Sequence, residues 1–156
     1  MSRSNIAEDN VIVDTRPWKK PWPNIDFDSA PFWDGLKEHK FLLWTCKQCG
    51  AKYWPKAYCH NHAPGDPKMS DMEWTESPGK GKIFVWNAIY YVFHPGFAEE
   101  IPYIQVCVEM DEGPIVSSTL IDCSPDDVKV GMPVEAVYED HPNEGFTMLR
   151  WRLAKA

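Results

Sequence analysis

Residues 46–50 read Cys46-Lys47-Gln48-Cys49-Gly50, and residues 59–62 read Cys59-His60-Asn61-His62. Each half therefore offers two metal-binding side chains separated by two residues. A turn after the first cysteine lets backbone N–H groups point at both sulfurs, and Gly50 permits the backbone conformation of that turn. Two such pairs of nitrogen and sulfur ligands are typical of tetrahedral Zn²⁺ in a closed structural site. The stretch predicts a zinc ribbon whose ligands are Cys46, Cys49, Cys59 and His62.

Two alternatives remain open within this stretch. His60 can replace His62 as the fourth ligand, although His62 preserves the spacing of the first pair. The cysteine pair can also be a redox Cys-x-x-Cys, but no βαβ pattern surrounds it.

The composition favours a small protein rich in β-structure. The chain has 156 residues, of which 13% are aromatic, and 14 prolines argue against a helical bundle. Neither a transmembrane-length apolar run nor an apolar signal region is present, so we expect a cytoplasmic protein without a membrane partner. The two cysteines outside the ribbon, Cys107 and Cys123, lie in apolar strand patterns and are expected to be buried thiols.

The net charge of −7 is unevenly distributed. Residues 82–156 contain 12 Asp or Glu and 5 Lys or Arg, whereas acidic and basic residues balance over 1–81. The ribbon region from Leu36 to Lys68 is locally basic. Its lysines can be an ordinary solvated face or a docking surface for a polyanionic ligand.

The order of patterns along the chain predicts three parts. Residues 1–25 form an extended arm, because its prolines are incompatible with a helix or a central strand. The arm's Trp18 and Trp22 are expected to cover a surface, either of this chain or of a partner. Residues 26–68 form a helix and the zinc ribbon. The helix is capped by Ser29 and ends near Lys40.

Residues 69–156 form the third part, which consists of strands. Five runs have β character: 82–92, 104–110, 114–121, 134–138 and 146–153. A helical turn at 124–127 separates the third run from the fourth. This order predicts a closed five-stranded OB-fold barrel. The fold class is therefore mainly β, with a short N-terminal helix and a rubredoxin-like zinc ribbon preceding the barrel.

The two halves together resemble the acyl-CoA-associated OB-fold proteins with an N-terminal rubredoxin-like zinc ribbon. The resemblance covers about Asp26 to Leu153. Its motifs are Ala30-Pro31-Phe32-Trp33, Cys46-x-x-Cys49-Gly50 with Pro55 and Cys59, Gly79-Lys80-Gly81-Lys82-Ile83, Ile101-Pro102-Tyr103, Glu109-Met110-Asp111-Glu112-Gly113 and Val130-Gly131-Met132-Pro133-Val134.

The resemblance implies a small non-catalytic subunit that binds zinc and associates with a thiolase-like catalytic subunit acting on acyl-CoA. Such subunits occur with thiolases of several pathways, including aromatic-compound degradation. The family commonly has cysteine as the fourth metal ligand, where this sequence has His62. Candidate contacts to CoA are the ribbon lysines Lys52 and Lys56, and His94 in a loop next to Pro95 and Gly96.

Three other functions are weighed against this one. An independent thiolase would need Cys107 or Cys123 as an activated, partly exposed nucleophile. Cys107 instead lies mid-strand between Val106 and Val108, and Cys123 is expected in the core or at a strand end before Ser124-Pro125. Binding of single-stranded nucleic acid would need a basic groove, which the acidic barrel half does not offer. A pure scaffold without ligand contact differs from the favoured hypothesis in one respect only, because it gives the basic ribbon no role in binding acyl-CoA. We expect no independent activity and no nucleic-acid partner.

Overall fold

The structure is a computed structural model that describes residues 9–63, 66 and 68–155. The first eight residues of the predicted arm and most of the predicted linker at 63–67 lie outside these ranges. The described residues contain one α-helix and nine strands, so the mainly β prediction is confirmed. Helix α1 is Ala30–Lys37, and the strands are β1 (Val11–Val13), β2 (Phe41–Cys46), β3 (Lys52–Tyr53), β4 (Met72–Ser77), β5 (Lys80–Ile89), β6 (Tyr103–Met110), β7 (Ile115–Leu120), β8 (Pro133–His141) and β9 (Phe146–Leu153).

Strands β5 to β9 close into a barrel. The order is β5-β6-β7-β9-β8, and β8 pairs with β5 to complete the ring. All these pairings are antiparallel except β7 with β9, which are parallel where Leu120 meets Trp151. A five-stranded barrel of this connectivity is an OB-fold, as the sequence predicts. Strand β1 adds to the outside of β8 in parallel.

The barrel interior is filled by alternate residues of its strands. Along β6, Ile104, Val106 and Val108 point inward and are fully buried. Cys107 lies between two of them, so its side chain faces outward and is only half-buried. Cys123 is half-buried as well. The expectation that both are buried thiols is therefore wrong.

Helix α1 ends at Lys37, three residues before the predicted end near Lys40. The next residues form a Schellman motif. The backbone N–H of His39 donates to the carbonyl of Leu36 (2.9 Å), and the backbone N–H of Lys40 donates to the carbonyl of Gly35 (2.9 Å). His39 has a positive φ of 58°, and its imidazole contacts Asp140 of β8 at 2.9 Å. The Schellman motif ends the helix, and the contact between His39 and Asp140 attaches that end to the barrel.

The start of the helix is only partly as predicted. Ser29 is the N-cap residue, but its side chain makes no capping hydrogen bond to the helix. Its hydroxyl instead accepts the backbone N–H of Asp26 (3.1 Å), and the Asp26 carboxylate accepts the N–H of Ser29 (2.8 Å). This reciprocal pair fixes the turn that leads into the helix.

A second sheet, in the order β3-β2-β4, carries the cysteine-rich segment. Strand β4 is not among the five predicted strand runs, and it pairs with β2 over the full length from Phe41 opposite Ser77 to Cys46 opposite Met72. Phe41 and Leu43 of β2 belong to the same buried cluster as the barrel core. The ribbon therefore shares its interior with the barrel, and the domain boundary at 68/69 stays a prediction.

The N-terminal arm lies on this chain's own barrel. The ring of Trp18 packs edge-on against His141 (4.8 Å between centroids) and Phe146 (5.0 Å). Its backbone N–H donates to the carboxylate of Glu144 at 3.0 Å. These contacts decide between the two surfaces that the sequence left open for Trp18.

The two ends of the described chain meet. The Lys155 ammonium lies 2.9 Å from the Asp9 carboxylate, and Arg152 donates to the Asp9 carbonyl at 2.6 Å. Across the described ranges, no helix has the length and apolar character needed to cross a membrane.

Candidate metal centre

The first cysteine pair lies on a tight turn after β2. Cys46 is the last residue of that strand and is buried. Gly50 has a φ of 76°, which glycine adopts without steric cost, and its N–H donates to the carbonyl of Cys46 at 2.8 Å. The N–H of Cys46 in turn donates to Ala51 at 2.9 Å. The chain thereby reverses direction and brings Cys49 next to Cys46.

The second pair is held by a tyrosine that the sequence analysis did not single out. The Tyr53 hydroxyl donates to the sulfur of Cys59 (3.3 Å) and accepts the backbone N–H of His60 (2.9 Å). The ring of His60 packs against Tyr53, with centroids 5.0 Å apart. His62 instead points toward the sulfurs. The structure thus gives the two histidines different neighbours.

Cys46, Cys49, Cys59 and His62 offer four ligand atoms that all lie within 4.8 Å of one another. The Cys46 sulfur is 3.7 Å from Nε2 of His62, and the Cys49 and Cys59 sulfurs are 3.5 Å apart. In tetrahedral zinc sites with Zn–S bonds of ~2.3 Å, neighbouring ligands are roughly 3.4–3.8 Å apart. This group can hold a metal ion, and its donor set and the separations of 3.7 and 3.5 Å fit zinc.

Hydrogen bonds favour the thiolate that a metal requires. A backbone N–H from Ala51, joined by the Asn61 amide at 3.6 Å, lowers the pKa of Cys49 to about 6. Burial raises the pKa of Cys46. Metal ligands must be deprotonated, so Cys49 becomes a thiolate more readily than Cys46 does. Asn61 and Tyr53 support the cluster without being ligands, and no spacing pattern in the sequence marks them.

The two candidate lysines for CoA lie on the ribbon. Lys52 is on β3, and its ammonium donates to the hydroxyls of Thr45 (3.3 Å) and Thr75 (2.9 Å). Lys56 lies 3.4 Å from the Asp28 carboxylate and 4.6 Å from the ring centroid of Trp44. The ammonium of Lys52 therefore contacts neutral hydroxyls, whereas the positive charge of Lys56 is partly compensated by the carboxylate of Asp28.

His94 caps a single helical turn instead of pointing freely from its loop. Its Nδ1 accepts the backbone N–H of Gly96 at 3.0 Å. The ring packs edge-on against Phe97, with centroids 6.3 Å apart. The loop follows β5, on the barrel, whereas both candidate lysines are on the ribbon.

A cleft of about 310 Å³ opens beside the half-buried Cys123. Both cations that line it are paired, Lys20 with Glu100 at 2.6 Å and Arg150 with Glu139 at 3.1 Å. Burial raises the pKa of Cys123, and the charge of Asp127 raises it further. The thiol is thus kept protonated, which is the opposite of nucleophile activation.

Comparison with known proteins agrees with this architecture. Residues 74–139 match the family model described as the ChsH2 C-terminal OB-fold domain. A DUF35 domain-containing scaffold protein of Methanocaldococcus jannaschii is 31% identical over 114 residues, which are 72% of this chain and 78% of that protein. The chain belongs to the DUF35 family of OB-fold proteins.

Two further similarities involve acyl-CoA and aldolase proteins. A probable enoyl-CoA hydratase alpha subunit of Thermomonospora curvata is 28% identical over 74% of this chain, which spans only 34% of that protein. The solved structure described as the Ltp2-ChsH2(DUF35) aldolase contains a chain that superposes with a TM-score of 0.73 and 26% identity. That superposition covers 86% of this chain and all of the other.

Proposed function

We propose that this chain is a zinc-binding, non-catalytic subunit of a thiolase-like acyl-CoA complex that makes or breaks carbon–carbon bonds. It stabilises the catalytic subunit and helps to bind the acyl-CoA substrate, with aromatic-compound degradation as one setting. The observation that carries the proposal is the superposition on the complete DUF35 chain of the Ltp2-ChsH2 aldolase, with a TM-score of 0.73.

The chemistry of the described residues supports an accessory role. The half-buried Cys107 faces outward from a strand, and the pKa of Cys123 is raised by burial. A catalytic thiol needs a lowered pKa and an adjacent base. The cysteine and histidine cluster offers four ligands, which fill a tetrahedral zinc ion and leave no position for water. Zinc bound there supplies folding energy and leaves substrate chemistry to the partner.

The assembly prediction is that the isolated chain turns over no acyl-CoA, whereas the complex with its thiolase-like partner does. The native chain is purified, the proteins that accompany it are identified by mass spectrometry, and both subunits are then produced separately and recombined. Activity is expected only after recombination, because the reacting groups belong to the partner. Turnover by the homogeneous isolated chain would refute the proposal.

The substrate part of the proposal concerns the phosphate groups of CoA. The region from Leu36 to Lys68 is the locally basic part of an otherwise acidic protein, and the Lys52 ammonium there contacts two threonine hydroxyls. The ammonium of Lys56 contacts the carboxylate of Asp28 and the ring of Trp44, and so lies next to the same sheet. We place both lysines at the entrance through which acyl-CoA reaches the partner. A scaffold without ligand contact would leave them unused.

Reversing both charges, Lys52→Glu with Lys56→Glu, is expected to raise the KM of the complex for acyl-CoA several-fold while leaving assembly intact. The effect should weaken with added salt, because salt screens the attraction between lysine and phosphate charges, over a screening length of about 10 Å at 0.1 M. The matched control is Lys82→Glu with Lys129→Glu, two exposed lysines of the barrel. An unchanged KM at low salt would favour the scaffold function.

A further inference from the structure

The loop that follows β5 exposes four consecutive large hydrophobic side chains. Tyr90 is 67% exposed, Tyr91 69%, Val92 36% and Phe93 75%. The rings of Tyr91 and Phe93 contact each other edge to face, with centroids 4.9 Å apart. We call residues 90–93 the aromatic loop. Contiguous apolar surface of this kind commonly marks a binding site on a folded protein.

The base of the aromatic loop is held in place on one side by its own turn. His94 accepts the N–H of Gly96 at 3.0 Å, which closes the single turn Pro95–Phe97. Phe97 then stacks on Tyr103 at the start of β6, with centroids 5.2 Å apart. The loop thus leaves β5 and returns to β6 in a fixed conformation.

The N-terminal arm holds the other side of that base. A Cβ added at Gly96 would collide with the carbonyl of Lys19, so the arm lies directly on the turn. Lys20 pairs with Glu100 at 2.6 Å, and its ammonium lies 5.3 Å from the ring centroid of Phe97. A loop ordered before binding loses less conformational entropy when a partner docks.

The charges near the loop exclude a polyanionic partner. The sequence has no lysine or arginine between Lys82 and Lys129. The two arm lysines at the base of the loop are paired, Lys19 with Glu99 at 3.9 Å and Lys20 with Glu100 at 2.6 Å. Binding of nucleic acid depends on cations that neutralise phosphates. The loop therefore presents apolar side chains beside paired charges that cancel, which suits an apolar protein surface.

We propose that the aromatic loop is the principal contact of this chain with its catalytic subunit. The inference rests on the proposed function and assigns the surface that carries it out. A second copy of the chain is a poorer partner for the loop. Residues 82–156 carry a net charge of −7, so two copies facing each other through this half would repel electrostatically.

The size of the patch is consistent with an anchor within a larger interface. Aromatic side chains can bury roughly 150–250 Å² each, and the three rings of the loop are 67%, 69% and 75% exposed, so together they offer roughly 300–500 Å². A standard interface buries about 800 Å² per partner. Phe84 and Val85, both about half exposed on β5, extend the apolar surface along the strand that leads to the loop. Tyrosine is among the residues enriched at interface hot spots.

The test measures the dissociation constant between purified wild-type chain and the purified thiolase-like subunit. The double substitution Tyr91→Ser with Phe93→Ser is expected to weaken binding roughly a hundredfold. Thermal melting and metal content should be unchanged, because both side chains are mostly in water. The matched control is Phe27→Ser, which removes a ring that is 91% exposed just before α1 and should leave affinity unchanged.

The outcomes separate this inference from the proposed function. If wild-type chain binds no thiolase-like enzyme, the proposed function fails. If wild type and the double variant bind that enzyme equally, the loop is not the contact, although the proposed function stands. An equal loss in Phe27→Ser also overturns the inference, since any exposed ring would then serve. Loss of self-association in native mass spectra, with binding to the enzyme retained, would assign the loop to a second copy instead.

Discussion

Replacing Cys46 by serine is expected to remove the metal from the protein and to unfold the cysteine-bearing end of the three-stranded sheet. Cys46 ends β2 and is buried in a small cluster with Trp44, Cys59 and Met72. Phe41 and Leu43 anchor the far end of β2 in the barrel core, so order is expected to be lost around the cysteines, where the core is small. Structural zinc binds with an apparent free energy of about 10–16 kcal/mol in zinc-finger peptides. Elemental analysis should fall from one zinc per chain to nearly none. The near-ultraviolet circular dichroism of the packed Trp44 and Trp74 rings should fall with it.

Three further variants make this prediction specific. Cys107→Ser changes a thiol outside the cluster and should retain the metal. His62→Ala should lose it, whereas His60→Ala should keep it, because only His62 has its ring nitrogen beside a cysteine sulfur. The reverse result for the two histidines would move the fourth ligand to His60. Wild-type protein that contains neither zinc nor iron after purification without chelator would contradict the metal site itself.

The second large effect is expected at Glu139, whose carboxylate lies inside a cluster with His141 and Arg150. His141 contacts one oxygen at 2.8 Å, and the Arg150 guanidinium donates to both oxygens at 3.1 and 3.3 Å. Glu139→Gln removes the charge that compensates the buried Arg150. Breaking a buried pair in this way costs about 3–5 kcal/mol, which urea unfolding at pH 7 will measure.

Glu135→Gln is the matched control, because Glu135 pairs with Arg152 at 2.8 Å on the same two strands but is more exposed. Partly exposed pairs contribute about 1 kcal/mol or less. Equal losses in the two variants would show that burial does not decide the cost.

The contribution of Glu139 to the free energy of unfolding should also depend on pH. Burial alone would raise the pKa of this carboxyl, but the hydrogen bond from His141 and the charge of Arg150 outweigh it and lower the pKa from 4.5 to about 2. A depressed folded-state pKa stabilises the fold above the unfolded-state value, and this stabilisation is lost as the pH falls to the folded-state value. Wild type should therefore lose about 3 kcal/mol between pH 5 and pH 2 through this group. The gap to Glu139→Gln should narrow over that range, and a constant gap would contradict the assignment.

The barrel and the cysteine cluster could be predicted because their signals are local. Alternating apolar residues mark strands such as β6 and β9, and turn residues separate neighbouring strands, so the succession of strands along the chain can be predicted. The paired spacing of Cys46 with Cys49, and of Cys59 with His62, likewise lies within short segments. The same alternation indicates that Cys107 faces outward between Val106 and Val108. That signal was present in the sequence and was outweighed by the apolar character of the run.

The remainder depends on contacts between distant residues. Strand β4 has no clear alternation, and its pairing with β2 joins residues about thirty positions apart, as in Trp44 opposite Trp74. The Schellman motif places His39 in a conformation that glycine usually adopts, and its contact with Asp140 is specified only by the fold. The ion pairs of Glu139 and Lys20 are likewise tertiary features. Local propensity does not encode such pairings.

The contact between Asp9 and Lys155 has a consequence for how such a domain can be carried by other proteins. Residues 9 and 155, the two ends of the described range, lie side by side on the barrel and are joined by an ion pair of 2.9 Å. A unit with adjacent ends can be spliced into a surface loop of a larger enzyme without pulling either protein apart. The host loop is lengthened, and the added entropic cost of closing it grows only slowly with length. The geometry of the ends thus makes this fold transplantable as a single module.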